Sequence, residues 1–207
     1  MIVTGEIYHV YNKSIAGFEI FNNDFEFQRI KKAIQYYQTE QQLSSFSSFL
    51  ERKKQVLESS NKLVRIICYC PMPTHLHLIL KQLTEKGISR FMNNILNSYT
   101  RYFNIKHNRK GPLWEGRFKK VLVESDEQLL HLTRYIHLNP VTGYLVNNPI
   151  EWKWSSYQEF VNEGLFEGAI CEYDDVLDIK PDGYKAFVED RISYQRELAK
   201  IKHMLFD

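Results

Sequence analysis

The chain has 207 residues, of which 43% are hydrophobic and 14% aromatic, and its 27 Lys and Arg against 25 Asp and Glu give a formal net charge of +2. This composition supplies a real core and excludes a disordered chain, and the length fits one domain with an appendage or two small domains. No run approaches 18 apolar residues and no signal-like pattern opens the sequence, so we expect a soluble cytoplasmic protein.

The N-terminal part predicts a strand followed by a helix. Residues 6–13 are rich in β-forming side chains and predict the first strand. The N-cap residues at 22–24 open a helix that runs toward Gln41, with apolar side chains at helical spacing. The polar, serine-rich residues 41–60 predict a loop with a helical insertion.

A hairpin is expected next. Residues 63–69 and 75–81 predict two antiparallel strands, joined by a turn at the prolines of residues 71–73. Successive side chains on a strand point to opposite faces, so His75 and His77 share one face while the leucines between them pack on the core. Two neighbouring imidazoles can hold one divalent cation, but His-x-His also occurs as two solvated side chains on a polar strand face.

A long helix, a fourth strand and another helix follow. Apolar side chains from Ile88 onward recur every three or four residues and predict an amphipathic helix of about five turns. Residues 118–123 predict the fourth strand. Ser125, with Gln128 completing a capping box, opens a helix that we expect to end at Pro140.

The order β-α-β-β-α-β followed by a helix is that of a ferredoxin-like antiparallel sheet in the α+β class, with an added helix. We place this domain at residues 1–160 and an acidic, mainly helical C-terminal extension at residues 161–207. The last helix of the extension is predicted over residues 183–204. We expect the extension to add no second core.

The helix after Ser125 carries a narrow polar stripe beside its apolar face. The face expected to pack on the sheet consists of Leu129, Leu132 and Ile136. Tyr135 and Asn139, related by i, i+4, lie one above the other beside that face. If the covered sheet face carries His75 and His77, two imidazoles and the Asn139 carbonyl oxygen could hold a cation next to the Tyr135 hydroxyl. If the histidines are left out of consideration, a tyrosine at such a position is more often a half-buried structural residue.

Charge is distributed unevenly along the chain. Residues 101–120 carry seven Lys or Arg and one acid, whereas residues 158–192 carry ten Asp or Glu and three bases. The basic stretch is interleaved with aromatic side chains, which suits phosphate contact together with base stacking. We therefore favour nucleic acid as the partner over a merely solvated surface. The three cysteines have neither redox nor zinc-knuckle spacing, so we expect reduced thiols in or near the core.

Five stretches carry a resemblance to a known family. They are Tyr8-His9-Val10-Tyr11-Asn12, Met72-Pro73-Thr74-His75-Leu76-His77-Leu78, Gly111-Pro112-Leu113-Trp114-Glu115-Gly116-Arg117-Phe118, Arg134-Tyr135-Ile136-His137-Leu138-Asn139-Pro140-Val141 and Trp152-Lys153-Trp154-Ser155-Ser156-Tyr157. In this order, over about residues 5–160, they resemble the single-tyrosine HUH transposases of the IS200/IS605-like group, and most closely the REP-associated tyrosine transposases.

The resemblance implies a site and a reaction. In that family the His-hydrophobic-His pattern supplies two metal ligands, a polar residue on the tyrosine helix supplies a third, and the tyrosine is the nucleophile. This implies His75, His77 and Asn139 as ligands of Mg²⁺ or Mn²⁺, and Tyr135 as the catalytic residue. It implies a prokaryotic enzyme that cleaves and rejoins single-stranded or hairpin DNA through a 5′-phosphotyrosine intermediate. The family more often has Asn at the position of Thr74, and we expect this difference to have no chemical consequence. Monomer and homodimer both stay open.

The basic stretch is the expected DNA-binding surface. Its candidate residues are Arg101, Lys106, Arg109, Lys110, Trp114, Arg117, Lys119 and Lys120. Each one taken singly is equally consistent with a solvated position or, for Trp114, with a core position.

Two other functions stay open at this point. A metallohydrolase would use a cation at His75 and His77 to activate water, but it would need further Asp or Glu ligands that the predicted strands do not supply. A non-catalytic DNA-binding protein would keep the fold and the basic surface without the chemistry, although all four candidate site residues are present.

Overall fold

A four-stranded antiparallel sheet forms the centre of the structure, a computed structural model that describes residues 2–40, 45–51, 61–162 and 168–206. Its strands are β1 (Ile7–Lys13), β2 (Val64–Met72), β3 (His75–Gln82) and β4 (Lys119–Leu122). They lie side by side in the order β2-β3-β1-β4. This is the predicted ferredoxin-like strand order, so the α+β fold class is confirmed.

Helices cover both faces of this sheet. They are α1 (Asp24–Tyr37), α2 (Phe46–Glu51), α3 (Gly87–Lys106), α4 (Asp126–Thr142), α5 (Tyr157–Val161), α6 (Pro181–Glu189) and α7 (Ile192–Phe206). Among the described residues, none of these helices is long and apolar enough to cross a membrane. Helix α2 confirms a helical insertion after α1, whereas the rest of the predicted insertion, residues 41–44 and 52–60, lies outside the described part of the chain.

The sheet separates two hydrophobic layers. One face packs against α1 and α3 through a cluster that includes Val10, Leu78 and Phe91. The other face packs against α4, where Ile79 of β3 and Ile136 of α4 share a second cluster. Burial of these apolar side chains from water is the main force that holds the helices on the sheet. Since strand side chains alternate, the odd-numbered residues of β1 and β3 face α4.

The described part of the C-terminal extension completes the second layer. Leu177, Tyr184 and Val188 are buried in the same cluster as the sheet-facing side of α4. These residues of the extension join the core layer between the sheet and α4, and the domain division at residue 160 stays a prediction. The described part of the extension contains two helices, α6 and α7, where one was predicted, and Pro181 lies in the first turn of α6.

Pro71 does not end its strand as predicted. Strand β2 continues through it to Met72, and the turn lies at residues 73–74. Proline is tolerated there because β2 is an edge strand, whose outer side needs no ladder hydrogen bond. The Pro71 carbonyl oxygen accepts a hydrogen bond from Trp152 Nε1 at 3.2 Å, so this part of the edge is covered by another segment.

Pro140 does not end its helix either. Helix α4 continues to Thr142, with Pro140 inside its last turn. The missing N–H costs one hydrogen bond near the end of the helix, where carbonyl groups are already short of partners. The Gly143 N–H donates to the Asn139 carbonyl oxygen at 2.8 Å and closes the turn. The helix therefore stays regular through Asn139, which keeps that residue one turn beyond Tyr135.

Candidate active site

His75 and His77 lie on the face of the sheet that α4 covers. Their ring centroids are 5.0 Å apart, with the ring planes nearly perpendicular. Ile79, the next residue on this face, packs in the same cluster as Ile136 of α4. The two imidazoles share one face, as strand alternation predicted, and α4 packs on that same face, which the sequence had left open. His77 is 7% exposed, so this pair is not a solvated one.

A third histidine, from β1, joins this pair. His9 Nε2 lies 2.9 Å from His77 Nδ1, and the two rings stack at 5.2 Å. Tyr11, which pairs directly with His77 across the strands, stacks on His9 at 5.0 Å. Sequence reasoning assigned no role to His9. Alternation along β1 puts His9 and Tyr11 on one face, but the register that sets them beside His77 depends on long-range pairing.

Burial keeps the three histidines neutral at physiological pH. It lowers the pKa of His9 to about 4. Burial, followed by the nearby charge of Lys13, lowers the pKa of His75 to about 4. The pKa of His77 falls to about 2, through burial first and then through His75, His9 and Lys13. A neutral imidazole offers a lone pair to a metal ion, so these rings are in the form that metal coordination requires.

Helix α4 brings Tyr135 against the histidines. The Ser125 hydroxyl accepts from the Gln128 N–H at 3.1 Å and fixes the start of the helix. The predicted packing face then anchors it, since Leu129 and Ile136 are buried. The Tyr135 ring meets the His77 ring edge-on, with centroids 6.1 Å apart. Tyr135 is 44% exposed, so a large substrate can reach a side chain that also contacts the site.

The environment of Tyr135 favours its neutral form. Burial, followed by the charge that Tyr11 would carry if ionised, raises the pKa of the Tyr135 hydroxyl. At neutral pH the phenol therefore keeps its proton, which must leave in any reaction that uses the oxygen as a nucleophile.

Asn139 lies one helical turn beyond Tyr135 and is half-buried. Its amide nitrogen is in the interior and has no hydrogen-bond partner among the described residues. Within the same residues, no group of three or more His, Cys, Asp or Glu is arranged to hold a metal ion. A metal site built on His75 and His77 would thus need an amide or substrate oxygen to complete it. Asn139, on the same helix as Tyr135, carries a carboxamide oxygen of the kind that such a site could use.

A small basic cleft of about 130 Å³ opens beside Tyr11. Lys13, Arg117 and Lys119 line it, together with Glu115. The loop that carries Arg117 is fixed to the end of β1, because the Glu115 N–H donates to the Lys13 carbonyl oxygen at 3.0 Å. Lys119 pairs with Tyr11 and therefore shares the histidine face. Two predicted DNA-binding residues, Arg117 and Lys119, thus lie near the site, along with Lys13, which sequence reasoning missed.

The remaining basic candidates do not share this surface. Lys120 pairs with Val10 and so points to the opposite face of the sheet. Arg101 and Lys106 belong to α3, which covers that opposite face, and Lys106 pairs with the buried Glu26 at 2.8 Å. Arg109 donates to the Pro112 carbonyl oxygen at 2.7 Å and braces its own loop, next to the exposed Lys110. Lys119 and Lys120 therefore point to different faces of the sheet, and Arg117 lies between them, since it also lines a second cleft together with Lys120.

Trp114 requires a correction. It is 8% exposed and belongs to the cluster between the sheet and α3. Its Nε1 donates to Thr100 Oγ1 at 3.1 Å and to the Leu96 carbonyl oxygen at 3.3 Å. An indole held on α3 in this way is a core residue, and its ring faces are not available for stacking on bases.

Comparison with known proteins agrees with this architecture. A family model described as "Transposase IS200 like" matches residues 38–139, just under half of the chain. A Haemophilus influenzae protein named as a candidate REP-associated tyrosine transposase is 26% identical over 111 residues, which cover 48% of this chain and 62% of that protein. The chain thus spans less than two thirds of the length of this relative.

A solved structure has a similar fold. It is the structure of a REP-associated tyrosine transposase bound to a REP hairpin, and it matches with a TM-score of 0.53 and 18% sequence identity. The match covers 87% of this chain and 93% of that one. The family match contains His75, His77, Tyr135 and Asn139, whereas His9 precedes it. The resemblance predicted from the motifs is therefore confirmed: the chain is similar to IS200-like transposases and to REP-associated tyrosine transposases.

Proposed function

We propose that this protein cleaves and rejoins single-stranded or hairpin DNA, with Tyr135 as the nucleophile. The observation that carries the proposal is the edge-on contact of Tyr135 with His77, beside His75. A half-exposed tyrosine against a cluster of buried neutral histidines is poorly explained by stability alone. It is well suited to a reaction at a phosphodiester that enters from solvent.

The reaction is an in-line exchange at phosphorus. The Tyr135 hydroxyl oxygen attacks the scissile phosphorus, so an O–P bond to the tyrosine forms while the bond to the 3′ oxygen breaks. The DNA 5′ end stays on Tyr135 as a phosphotyrosine, and the 3′ end leaves as a hydroxyl after taking up a proton. The tyrosine proton passes to solvent, which the exposure of Tyr135 permits. Attack by a second 3′-hydroxyl reverses these steps and rejoins DNA without an outside energy source.

His75, His77 and the Asn139 carboxamide would hold Mg²⁺ or Mn²⁺, the ions that suit a mixed nitrogen and oxygen site. When bound, such an ion polarises the phosphate and neutralises charge on the leaving oxygen. The protein's own contribution is orientation. The packing of α4 holds the Tyr135 ring against His77. Correct placement of a nucleophile can account for a large part of the decrease in activation free energy that an enzyme achieves.

Hairpin DNA is the proposed substrate class. The similar solved structure is of a protein bound to a REP hairpin. In this chain, Lys13, Arg117 and Lys119 form a basic cleft beside the histidine face and can contact the phosphates that flank the scissile bond. Among the residues that the structure describes, Glu115 is the one acid that lines this cleft, so the net charge of the cleft favours a polyanion.

A covalent-adduct assay tests the proposal. The protein is mixed with labelled hairpin and single-stranded oligonucleotides from DNA flanking its own gene, with Mn²⁺ or Mg²⁺, and run on a denaturing gel. We expect a protein-linked band that requires metal and is lost in Tyr135→Phe but kept in the control Tyr194→Phe, which alters an exposed tyrosine of α7.

The two rival functions give other results. Metal-dependent DNA hydrolysis without an adduct would indicate the metallohydrolase. That function is disfavoured because the described residues contain no carboxylate-supported metal cluster. Oligonucleotide binding without any cleavage would indicate a DNA-binding protein that has lost the chemistry.

A further inference from the structure

The Nδ1 atoms of His75 and His77 are both occupied by hydrogen bonds. His75 Nδ1 lies 2.9 Å from the Thr74 hydroxyl oxygen, and His77 Nδ1 lies 2.9 Å from His9 Nε2. Neither Nε2 atom makes a hydrogen bond within the described residues. Two histidines on one face are therefore held at the same ring nitrogen by different partners, one in the turn before β3 and one on β1.

The direction of these two hydrogen bonds decides what each ring can do. A neutral imidazole has one N–H and one lone pair. If Nδ1 donates, the lone pair stays on Nε2 and can coordinate a metal ion. If Nδ1 accepts, Nε2 carries the proton and cannot. Metal-binding histidines usually donate their other N–H to a fixed acceptor, which sets the tautomer and the ring orientation.

We propose that His9 and Thr74 are positioning residues that hold His77 and His75 in the Nδ1–H form, with both Nε2 lone pairs directed to one divalent cation. The inference rests on the proposed function for the identity of the site, and it deepens that proposal by assigning two residues that support the ligands. His9 accepts the His77 proton at Nε2 and therefore carries its own proton on Nδ1. The Thr74 hydroxyl accepts the His75 proton, so Thr74 has a chemical role that the sequence did not predict.

The surroundings of His9 favour this supporting role over direct coordination. Its Nε2 is already committed to His77. The three histidines do not form a metal-binding group of three among the described residues. The ring is also fixed in orientation by stacking on Tyr11 and on His77, at 5.0 and 5.2 Å. These ring contacts and the hydrogen bond to His77 together keep the His9 acceptor nitrogen in one place.

The first test determines the tautomers in the metal-free wild-type protein. Long-range ¹H–¹⁵N correlation spectra at neutral pH distinguish an Nδ1–H ring from an Nε2–H ring. We expect Nδ1–H for both His75 and His77. An Nε2–H form of His77 in the wild type would overturn the proposal without any need for a variant.

The second test measures Mn²⁺ affinity by calorimetry, in the absence of DNA. His9→Phe keeps an aromatic ring for stacking but removes the acceptor, and we expect it to weaken Mn²⁺ binding by about 10- to 100-fold. His9→Gln restores an acceptor oxygen near the position of Nε2 and should recover most of the affinity. Thr74→Val and Thr74→Ser form the equivalent pair for His75. His131→Phe, at an exposed histidine of α4, is the control and should bind as the wild type does.

These results separate this proposal from the proposed reaction. The wild-type protein could show the expected tautomers and bind Mn²⁺ but form no DNA adduct. That result would overturn the proposed strand-transfer reaction, and the supporting roles of His9 and Thr74 would remain valid. Equal Mn²⁺ affinity in His9→Phe and the wild type would overturn the role of His9. The absence of Mn²⁺ binding in the folded wild type would overturn the proposal as a whole.

Discussion

His137 and Tyr184 form a buried hydrogen bond, with His137 Nδ1 2.7 Å from the Tyr184 hydroxyl. His137 lies on α4 midway between Tyr135 and Asn139, and Tyr184 lies on α6. The other ring nitrogen of His137 is 2.9 Å from the Ser156 hydroxyl, which in turn accepts from the Tyr69 N–H on β2 at 3.0 Å. The helix that carries the candidate nucleophile is thus tied to the C-terminal segment and to the sheet.

Removing the Tyr184 hydroxyl should destabilise the protein. Tyr184→Phe preserves the buried ring but leaves His137 Nδ1 without this partner, and an unsatisfied buried polar group costs about 1–3 kcal/mol. Urea unfolding followed by circular dichroism measures the change in the free energy of unfolding. Tyr194→Phe, at an exposed position, is the matched control and should change it by less than about 0.5 kcal/mol. Equal stability of the two variants would show that the His137 network does not fasten α4.

Acid should destabilise the protein through His137. Burial lowers the pKa of His137 from its ordinary value of 6.5 to about 3. As the pH falls below 6.5, the unfolded chain takes up a proton that the folded protein does not, so stability decreases. From this group the loss is up to about 1.4 kcal/mol per pH unit until the pH nears 3. Burial of His9, His75 and His77 acts in the same direction.

Comparison of two proteins isolates the contribution of His137. Urea unfolding of the wild type and of His137→Gln at several pH values between 7.5 and 5 should give a shallower pH dependence for the variant. Parallel curves would mean that His137 is protonated to the same extent in the folded and unfolded states.

Two adjacent lysines should differ in their effect on DNA binding. Lys119 shares the histidine face, whereas Lys120 points to the opposite face. Lys119→Gln should reduce the slope of log affinity against log salt by about 0.7–0.9, the value for one lost phosphate contact. Lys120→Gln should leave the slope for a hairpin oligonucleotide unchanged, as measured by fluorescence anisotropy. The reverse order would place the DNA on the α3 side of the sheet.

Much of the fold and part of the site could be predicted from local patterns. Strand alternation predicted that His75 and His77 share a face, and helical periodicity predicted that Tyr135 and Asn139 lie together beside the packing face of α4. These relationships involve residues within one element, so the period of the element determines them. They needed no knowledge of the partner elements.

The missed features depend on contacts between distant parts of the chain. His9 meets His77 because of the β1–β3 register, which no local pattern reveals. Trp114 is a core residue because its loop packs against α3, where its indole N–H donates hydrogen bonds to Leu96 and Thr100. Strand alternation could have predicted that Lys119 and Lys120 point to opposite faces of the sheet. A count of charges along the sequence does not distinguish the two faces.

Mass spectrometry of the covalent adduct would identify the nucleophile, which we propose is Tyr135. After reaction with a hairpin oligonucleotide and Mn²⁺, the protein is digested with nuclease and protease, and the nucleotide-linked peptide is sequenced. We expect the phosphate-linked mass on Tyr135. A link to any other residue, or cleaved DNA without a linked peptide, would show that Tyr135 is not the nucleophile.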